Sequence, residues 1–270
     1  MHDTIEQRGL VLIGCGKMGS AMLAGWLDGG LPPASVWVQD PNPSDWLRGI
    51  KGLNLNTPLP AAPALVLVAV KPHMMGDTLP ALAAMGNGPT VFVSVAAGVP
   101  IARYESLLGA DTPIIRAMPN TPAAVGRGVT ALIGNAHAGG AAMDMADTLL
   151  QAVGLTVRLE SEEQMDAVTA VSGSGPAYVF HMIESLAAAG EQAGLAPDLA
   201  MTLAKATVAG AGALAEQAND TPATLRENVT SPNGVTQAAL VPLMDQDAGL
   251  AALMRATVAA AVKRSRELGE

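Results

Sequence analysis

Gly9-Leu10-Val11-Leu12-Ile13-Gly14-Cys15-Gly16-Lys17-Met18-Gly19 is the stretch that decides the fold. A short β-forming apolar run, Gly9 to Ile13, enters a G-x-G-x-x-G pattern, and the helical stretch Met18 to Asp28, closed by Gly29 and Gly30, follows at once. Strand, glycine turn and helix in that order present backbone N–H groups and a helix N-terminus to a pyrophosphate. The candidate contacts are Gly14, Gly16, Lys17, Met18 and Gly19. A second strand, Val36 to Gln39, ends at Asp40, 21 positions after Gly19, where an acidic side chain accepts hydrogen bonds from an adenosine ribose. A carboxylate there repels a 2′-phosphate, and no Arg follows within the next seven residues, so Asp40 favours NADH, with NADPH kept as the alternative. Asp40 also reads as a turn residue before Pro41.

Outward from this stretch, Leu65 to Val70, Thr90 to Val95 and Pro113 to Ala117 read as further buried strands alternating with helical segments, which implies a parallel sheet covered by helices. Gly128 to Ile133 and Leu155 to Leu159, flanking a helix over Gly139 to Val153, complete the expected sheet. Dinucleotides lie at the carboxyl ends of parallel strands, so Val70, Lys71 and Pro72 from one strand end and Ala96 from the next join the candidate cofactor contacts. Lys71 reads equally as a solvated strand-end charge.

From about Glu162 strand signals vanish. The remaining segments, Glu162 to Val171, Pro176 to Ala193, Pro197 to Gln217, Pro222 to Val229, Asn233 to Met244 and Asp247 to Leu268, have helical period, with prolines near several starts. Thr221 and Ser231 suit N-cap positions. Ala- and Gly-rich helices such as Ala204 to Ala215 expose little apolar area per residue, so this all-α half is expected to complete its core across a homodimer interface. The expected division is a Rossmann-type α/β domain over 1–161 and an all-helical dimerisation and substrate domain over 162–270.

A chain of 270 residues, half of them apolar, is long enough for two such cores. The formal net charge of -9 argues against phosphate backbones and anionic lipid, so neither nucleic acid nor membrane is an expected partner. A lone Cys15 and four scattered histidines (His2, His73, His137, His181) give no disulfide framework and no metal-ligand spacing. The N-terminal stretch lacks a basic segment before its apolar run, and the run Ala64 to Val70 falls far short of a membrane span, so the expected location is the cytoplasm.

Several strings together resemble the pyrroline-5-carboxylate reductase family: Gly14 to Gly19, Ala69-Val70-Lys71-Pro72, Ser94-Val95-Ala96-Ala97-Gly98 and Arg116-Ala117-Met118-Pro119-Asn120-Thr121-Pro122. In the second half, Asp166 to Tyr178, containing Ser172-Gly173-Ser174-Gly175-Pro176-Ala177-Tyr178, and Val229 to Thr236, containing Ser231-Pro232-Asn233-Gly234-Val235-Thr236, extend the resemblance over almost the whole chain. The resemblance implies a Rossmann domain followed by a helical dimerisation domain, self-association as a homodimer or a ring of dimers, and a site built between the nicotinamide and helices of both subunits. It also implies the reaction, in which NADH or NADPH reduces the cyclic imine carboxylate Δ1-pyrroline-5-carboxylate to L-proline, the last step of proline biosynthesis.

The chemistry asks for donors rather than a strong base, because the cofactor carries the hydride and the protein holds the imine and its carboxylate. Ser231 and the N–H groups of Asn233, Gly234 and Val235 stand where a helix begins and suit a carboxylate. By resemblance, Thr236 hydrogen-bonds the ring nitrogen, Asn120 neighbours the nicotinamide, and Ser174 and Gly175, with Asp166, Ser172 and Tyr178 nearby, line the site from the helical side. The stretch Ser172 to Pro176 also reads as a helix break, restarting at Pro176. Asn233 departs from a common family glycine, but Asn tolerates left-handed backbone; Val235 and His73 are further departures. Cys15 reads either as a reactive thiol near a helix N-terminus or as small-residue packing. Two other readings stay open: another imine reductase or a β-hydroxyacid dehydrogenase, for which Lys205 and Lys263 are the candidate bases, and a non-catalytic nucleotide-sensing protein.

Overall fold

A computed structural model describes residues 2–269 of the chain. Eight strands, β1 (Leu10–Ile13), β2 (Val36–Gln39), β3 (Asn54–Leu55), β4 (Leu65–Val68), β5 (Val91–Ser94), β6 (Ile114–Met118), β7 (Gly128–Gly134) and β8 (Gly154–Arg158), form one sheet in the order β3-β2-β1-β4-β5-β6-β7-β8. Around and after it run α1 (His2–Arg8), α2 (Lys17–Asp28), α3 (Asp45–Gly49), α4 (Met75–Thr78), α5 (Ile101–Leu108), α6 (Gly140–Gln151), α7 (Gln164–Val168), α8 (Gly175–Gln192), α9 (Pro197–Gln217), α10 (Pro222–Asn228), α11 (Val235–Leu243) and α12 (Leu250–Gly269). This is the expected Rossmann-type sheet followed by helices. Among the described residues no helix is long and apolar enough to cross a membrane.

Strands buried on both faces explain the unbroken apolar runs in the sequence, since successive side chains point to opposite sides of the sheet. Leu10 and Leu12 of β1, Leu65 and Leu67 of β4 and Val93 of β5 pack on one side with Met22, Leu23 and Trp26 of α2 and Leu149 and Leu150 of α6. Val11 and Ile13, Val66 and Val68, and Phe92 pack on the other with Met75, Leu79, Tyr104 and Leu108. The Trp26 indole N–H donates to the Leu149 carbonyl at 2.9 Å, which satisfies the only polar atom of a buried ring and ties α2 to α6.

All strand pairs are parallel except β6 with β7. The alternation of strands and helices predicts a parallel sheet throughout, and this one reversal has a simple cause. Nine residues separate Met118 from Gly128, whereas a parallel return needs a crossover of about a dozen or more. The connection instead folds into a short turn over Thr121–Val125, closed by Gly126 at φ +68°, and sends β7 back antiparallel. The expected helix over 139–153 is present as α6 and gives the crossover that makes β8 parallel to β7.

Two compact units divide the chain. One runs through Ser174 and takes back the residues from Ala261 onward; the other is 175–260. The division expected after residue 161 thus falls inside the first unit. Two contacts anchor 162–174 there. The Arg116 guanidinium on β6, nearly buried, donates to Glu162 Oε1 at 2.6 Å, and the same oxygen accepts the Ile101 N–H at the start of α5 at 2.8 Å. Asp166 accepts the Ser265 hydroxyl at 2.7 Å and faces Arg266 at 3.5 Å, both on the last turns of α12. An Arg in an otherwise apolar strand signals that a buried partner exists, but sequence alone does not name Glu162.

In the second unit α8 packs on α9 through small side chains. Ala187, Ala200 and Ala204 are its buried apolar core, with Ile183 and Met201 against them. Val179, Phe180, Met182, Leu186, Leu199 and Leu203 of the same two helices are exposed.

Near the Arg116 pair, Tyr104 lies fully inside the first unit with its hydroxyl 2.5 Å from Ser94 Oγ. Burial pushes its pKa from 10.0 up to about 12, with Ser94 and Arg116 opposing and Glu162 assisting. The folded state therefore holds the phenol proton more tightly than the unfolded chain does. That stabilisation is whole below pH 10 and is lost as pH rises toward 12. Unfolding free energy should fall by about 3 kcal/mol over that window, and Tyr104→Phe should remove that part of the alkaline limb in denaturant titrations run at a series of pH values.

Candidate functional site

The glycine loop has the geometry that an anion-binding turn requires. Gly14 leaves β1 at φ +85°, a backbone conformation that side chains rarely adopt. A Cβ there would meet Val70 Cγ1 at 2.9 Å, so the loop is seated against the end of β4. A Cβ on Gly19 would lie 2.5 Å from the Gly14 carbonyl oxygen, so only glycine lets α2 start this close to the turn. A Cβ on Gly16 would meet no protein atom within 4 Å, which leaves open space above the N-cap of α2. No side chain caps that helix and no acidic residue occupies its first turn, so the N–H groups of Lys17, Met18 and Gly19 are open to an anion. The loop, on this geometry, fits the pyrophosphate of a dinucleotide.

Asp40 stands at the end of β2 and holds this loop. Its Oδ2 accepts the Cys15 N–H at 2.7 Å, and Oδ1 accepts the Asn42 N–H at 2.8 Å. Asn56, at φ +51°, accepts the Asp40 N–H at 2.9 Å and donates back to the Asp40 carbonyl at 2.8 Å. The turn-residue reading of Asp40 therefore describes one task of this carboxylate, and the remaining lone pairs stay available to a ribose. Sequence reading missed Asn56; an Asn just beyond a short strand is a recognisable left-handed turn signal, but its partner is a matter of sheet pairing. The Cys15 thiol is pushed from 9.0 up to about 12, chiefly by burial and then by the Asp40 charge, which keeps it protonated and favours packing over reactivity.

Because β1, β2, β4, β5 and β6 are parallel, their carboxyl ends share one edge, and the order reverses between β1 and β4, the position where dinucleotides lie in open α/β sheets. On this edge are Val70, Lys71 and Pro72 after β4 and Ala96 after β5, the Ala96 N–H bonding Ser94 Oγ at 3.3 Å. Lys71 is exposed. Pro72, Gly98 and Arg103 border an open cleft of about 820 Å³ beside them. Asn120, after β6, is nearly buried and holds Val129 and Ser172.

The expected break at Ser172 to Pro176 narrows to Ser174, between a π turn and the start of α8 at Gly175. α7 passes through a π turn, Thr169–Gly173, into α8, and the Ser174 N–H bonds the Thr169 carbonyl at 2.8 Å. Ser172, Gly173 and Ser174 keep helical backbone because a widened turn absorbs the extra residue that a break would otherwise release. Asp166 spends its carboxylate on Ser265 and Arg266.

In the second unit Ser231, Asn233, Gly234, Val235 and Thr236 form one turn at the start of α11. Asn233 is left-handed at φ +56°, as its residue type allows, and its N–H bonds Gln237 Oε1 at 2.5 Å. A Cβ on Gly234 would collide with the Ser231 hydroxyl, so these two residues are fitted to each other. Ser231 is not the N-cap that its type suggests: the helix starts at Val235 with Gly234 before it and no side-chain cap. The Ser231 hydroxyl and the first N–H groups of α11 are consequently not consumed by capping one another. Thr221 does cap α10, accepting the Thr224 N–H at 3.2 Å. Lys205 and Lys263 are both exposed.

The loop geometry separates two alanine substitutions. Gly16→Ala should leave the melting temperature unchanged while weakening dinucleotide binding about tenfold or more, because the methyl occupies the anion's space. Gly19→Ala should lower stability by about 2 kcal/mol as well as binding, because the Gly14 carbonyl must move. Thermal denaturation and fluorescence titration with NADH and NADPH distinguish the two.

A family model described as "Pyrroline-5-carboxylate reductase dimerisation" matches residues 162–268, and one described as "NADP oxidoreductase coenzyme F420-dependent" matches residues 9–98. The pyrroline-5-carboxylate reductase of Pseudomonas aeruginosa is 38% identical, with 97% of this chain and 97% of that protein covered, and the one from Pisum sativum is 36% identical over 96% and 95%. Among solved structures, a pyrroline-5-carboxylate reductase from Coxiella burnetii matches with TM-score 0.91 at 32% identity, covering 97% of this chain and 99% of that one. The Plasmodium falciparum pyrroline carboxylate reductase with NADP bound matches with TM-score 0.85 at 27% identity, covering 98% and 99%. With a shared sequence over nearly its full length and a site loop shaped for a dinucleotide, the chain belongs to the pyrroline-5-carboxylate reductase family.

Proposed function

We propose that this chain reduces Δ1-pyrroline-5-carboxylate to L-proline, using NADH or NADPH, as the last step of proline biosynthesis. The observation that carries the reading is the uncapped start of α11, where Ser231 and Gly234 are fitted to each other around a left-handed Asn233. Bound NAD(P)H supplies a hydride to the imine carbon. The chain's own residues bind, orient and provide the proton's route.

In this reading the N–H groups of Gly16, Lys17, Met18 and Gly19 hold the pyrophosphate, Gly14 shapes the turn, and Asp40 meets the adenosine ribose. Val70, Lys71, Pro72 and Ala96 border the nicotinamide half. The Ser231 hydroxyl and the Val235 N–H receive the substrate carboxylate, whose charge suits a helix start, while Asn233 and Gly234, whose N–H groups bond Gln237 Oε1 and the Ser231 carbonyl, shape the turn around it. The Thr236 hydroxyl donates to the ring nitrogen, which gains a proton as the neighbouring carbon gains the hydride, while Ser174 and Gly175 line the imine. Residues 1–161 serve the cofactor and 162–270 serve substrate and association. A carboxylate at position 40 favours NADH over NADPH, and the cytoplasm is the proposed location.

Self-association follows from the dimerisation match and from a helical unit whose buried apolar core is three alanines. We place the chain in a homodimer that assembles further into a ring of dimers. Sedimentation equilibrium should return a mass several times that of the dimer; a dimer mass at micromolar concentration would limit the assembly to two copies.

Purified protein mixed with pyrroline-5-carboxylate should oxidise NADH faster than NADPH with proline as product. Thr236→Ala should lower kcat by about a hundredfold, the size of a lost proton-transfer contact, with cofactor affinity unchanged. Binding of either cofactor without turnover of this imine would send the assignment to a related imine.

A further inference from the structure

Asn120 leaves β6 in extended backbone, nearly buried, and its carboxamide is engaged at both ends. Oδ1 accepts the Val129 N–H of β7 at 2.9 Å, and Nδ2 donates to the Ser172 carbonyl and to the Ser172 hydroxyl, each at 3.3 Å. A backbone N–H only donates, so Val129 fixes which end of the amide is oxygen and leaves the nitrogen for Ser172. Ser172 belongs to the π turn Thr169–Gly173, which runs through Ser174 into Gly175 at the start of α8. The same turn is pressed against the end of β6 at a second point, where a Cβ on Gly173 would collide with the Met118 methyl. π turns recur at functional sites because the extra residue re-aims the side chains that follow it.

We infer that Asn120 serves the reaction as a positioning residue: it sets the register of the π turn, and through it Ser174 and Gly175, and it does so without contact to the nicotinamide. The inference rests on the reductase reading for its kinetic consequence, and it replaces the cofactor-contact role that the family resemblance implies for Asn120. Its physical content is that the turn has two holding points from the sheet, one polar and one steric. Removing the polar one leaves the fold standing but lets residues 172–175 slide relative to β6.

The test uses Asn120→Asp, which is nearly isosteric and keeps the acceptor for Val129 but presents an ionised carboxylate, not a donor, to Ser172. Loss of one buried donor should raise KM for the imine about tenfold with a parallel fall in kcat, and leave the NADH dissociation constant within about twofold. Ser172→Ala should shift KM in the same direction by less, and should add little to Asn120→Asp, since both act on one contact. Amide hydrogen exchange of 172–175 should quicken in Asn120→Asp, a readout that holds whatever imine the enzyme prefers. Weakened NADH binding with an unchanged imine KM, or unchanged exchange at 172–175, would overturn the inference. A wild-type protein that leaves pyrroline-5-carboxylate untouched would overturn the reductase reading alone, and the exchange result would still decide the role of Asn120.

Discussion

In a sheet covered on both faces, side chains along the strands have only apolar neighbours, and polar chemistry is confined to the ends. Leu10 to Ile13 and Leu65 to Val68 contain no polar side chain, and the residues that follow them are Gly14 and Ala69-Val70-Lys71-Pro72. The buried charge among the strands, Arg116 within β6, is tolerated because Glu162 meets it at 2.6 Å and a backbone N–H shares that carboxylate. Breaking such a pair would strand a charge in the interior. The same pair holds the segment that follows β8 to β6, so one buried contact serves both satisfaction of a charge and the anchoring of that segment within the first unit.

The strand-end edge is held together by side chains that bond backbone groups. Asp40 ties the glycine loop to β2, Asn56 ties the end of β2 to the turn beyond β3, and Asn120 ties β6 to β7 and to the π turn. Each of these residues has a short side chain with limited rotamer freedom, so little entropy is lost when it is fixed. A loop that must receive a charged cofactor gains from being set in advance, since ordering is then not charged against binding.

Local patterns were legible in the sequence wherever a residue's neighbours in the chain are also what determine its state. The glycine loop, the long parallel strands, α6 and the Thr221 cap are of this kind, and so is Asn233, whose left-handed backbone follows from its residue type. What escaped depends on distant partners or on counting. The antiparallel β7 follows from a connection too short for a crossover, which only becomes visible once the strand limits are known. Between Ser172 and Pro176 the interruption shrinks to Ser174 because the sheet holds Thr169–Gly173 in a π turn, against the local preference of glycine, serine and proline to open a wider break. At Ser231 the residue type suggested a cap, but Pro232 and the left-handed Asn233 delay the helix to Val235. Glu162 lies 46 positions from Arg116 and Ser172 lies 52 from Asn120, beyond any periodicity argument.

The second unit, 175–260, buries three alanines as its apolar core while leaving Phe180, Leu186 and Leu203 in water. Such a segment stores little free energy by itself, so its native state draws on association, and folding becomes second order in chain concentration. Dilution would then act on the helical unit as a denaturant does, while the sheet unit, with two large buried clusters of its own, would keep its fold.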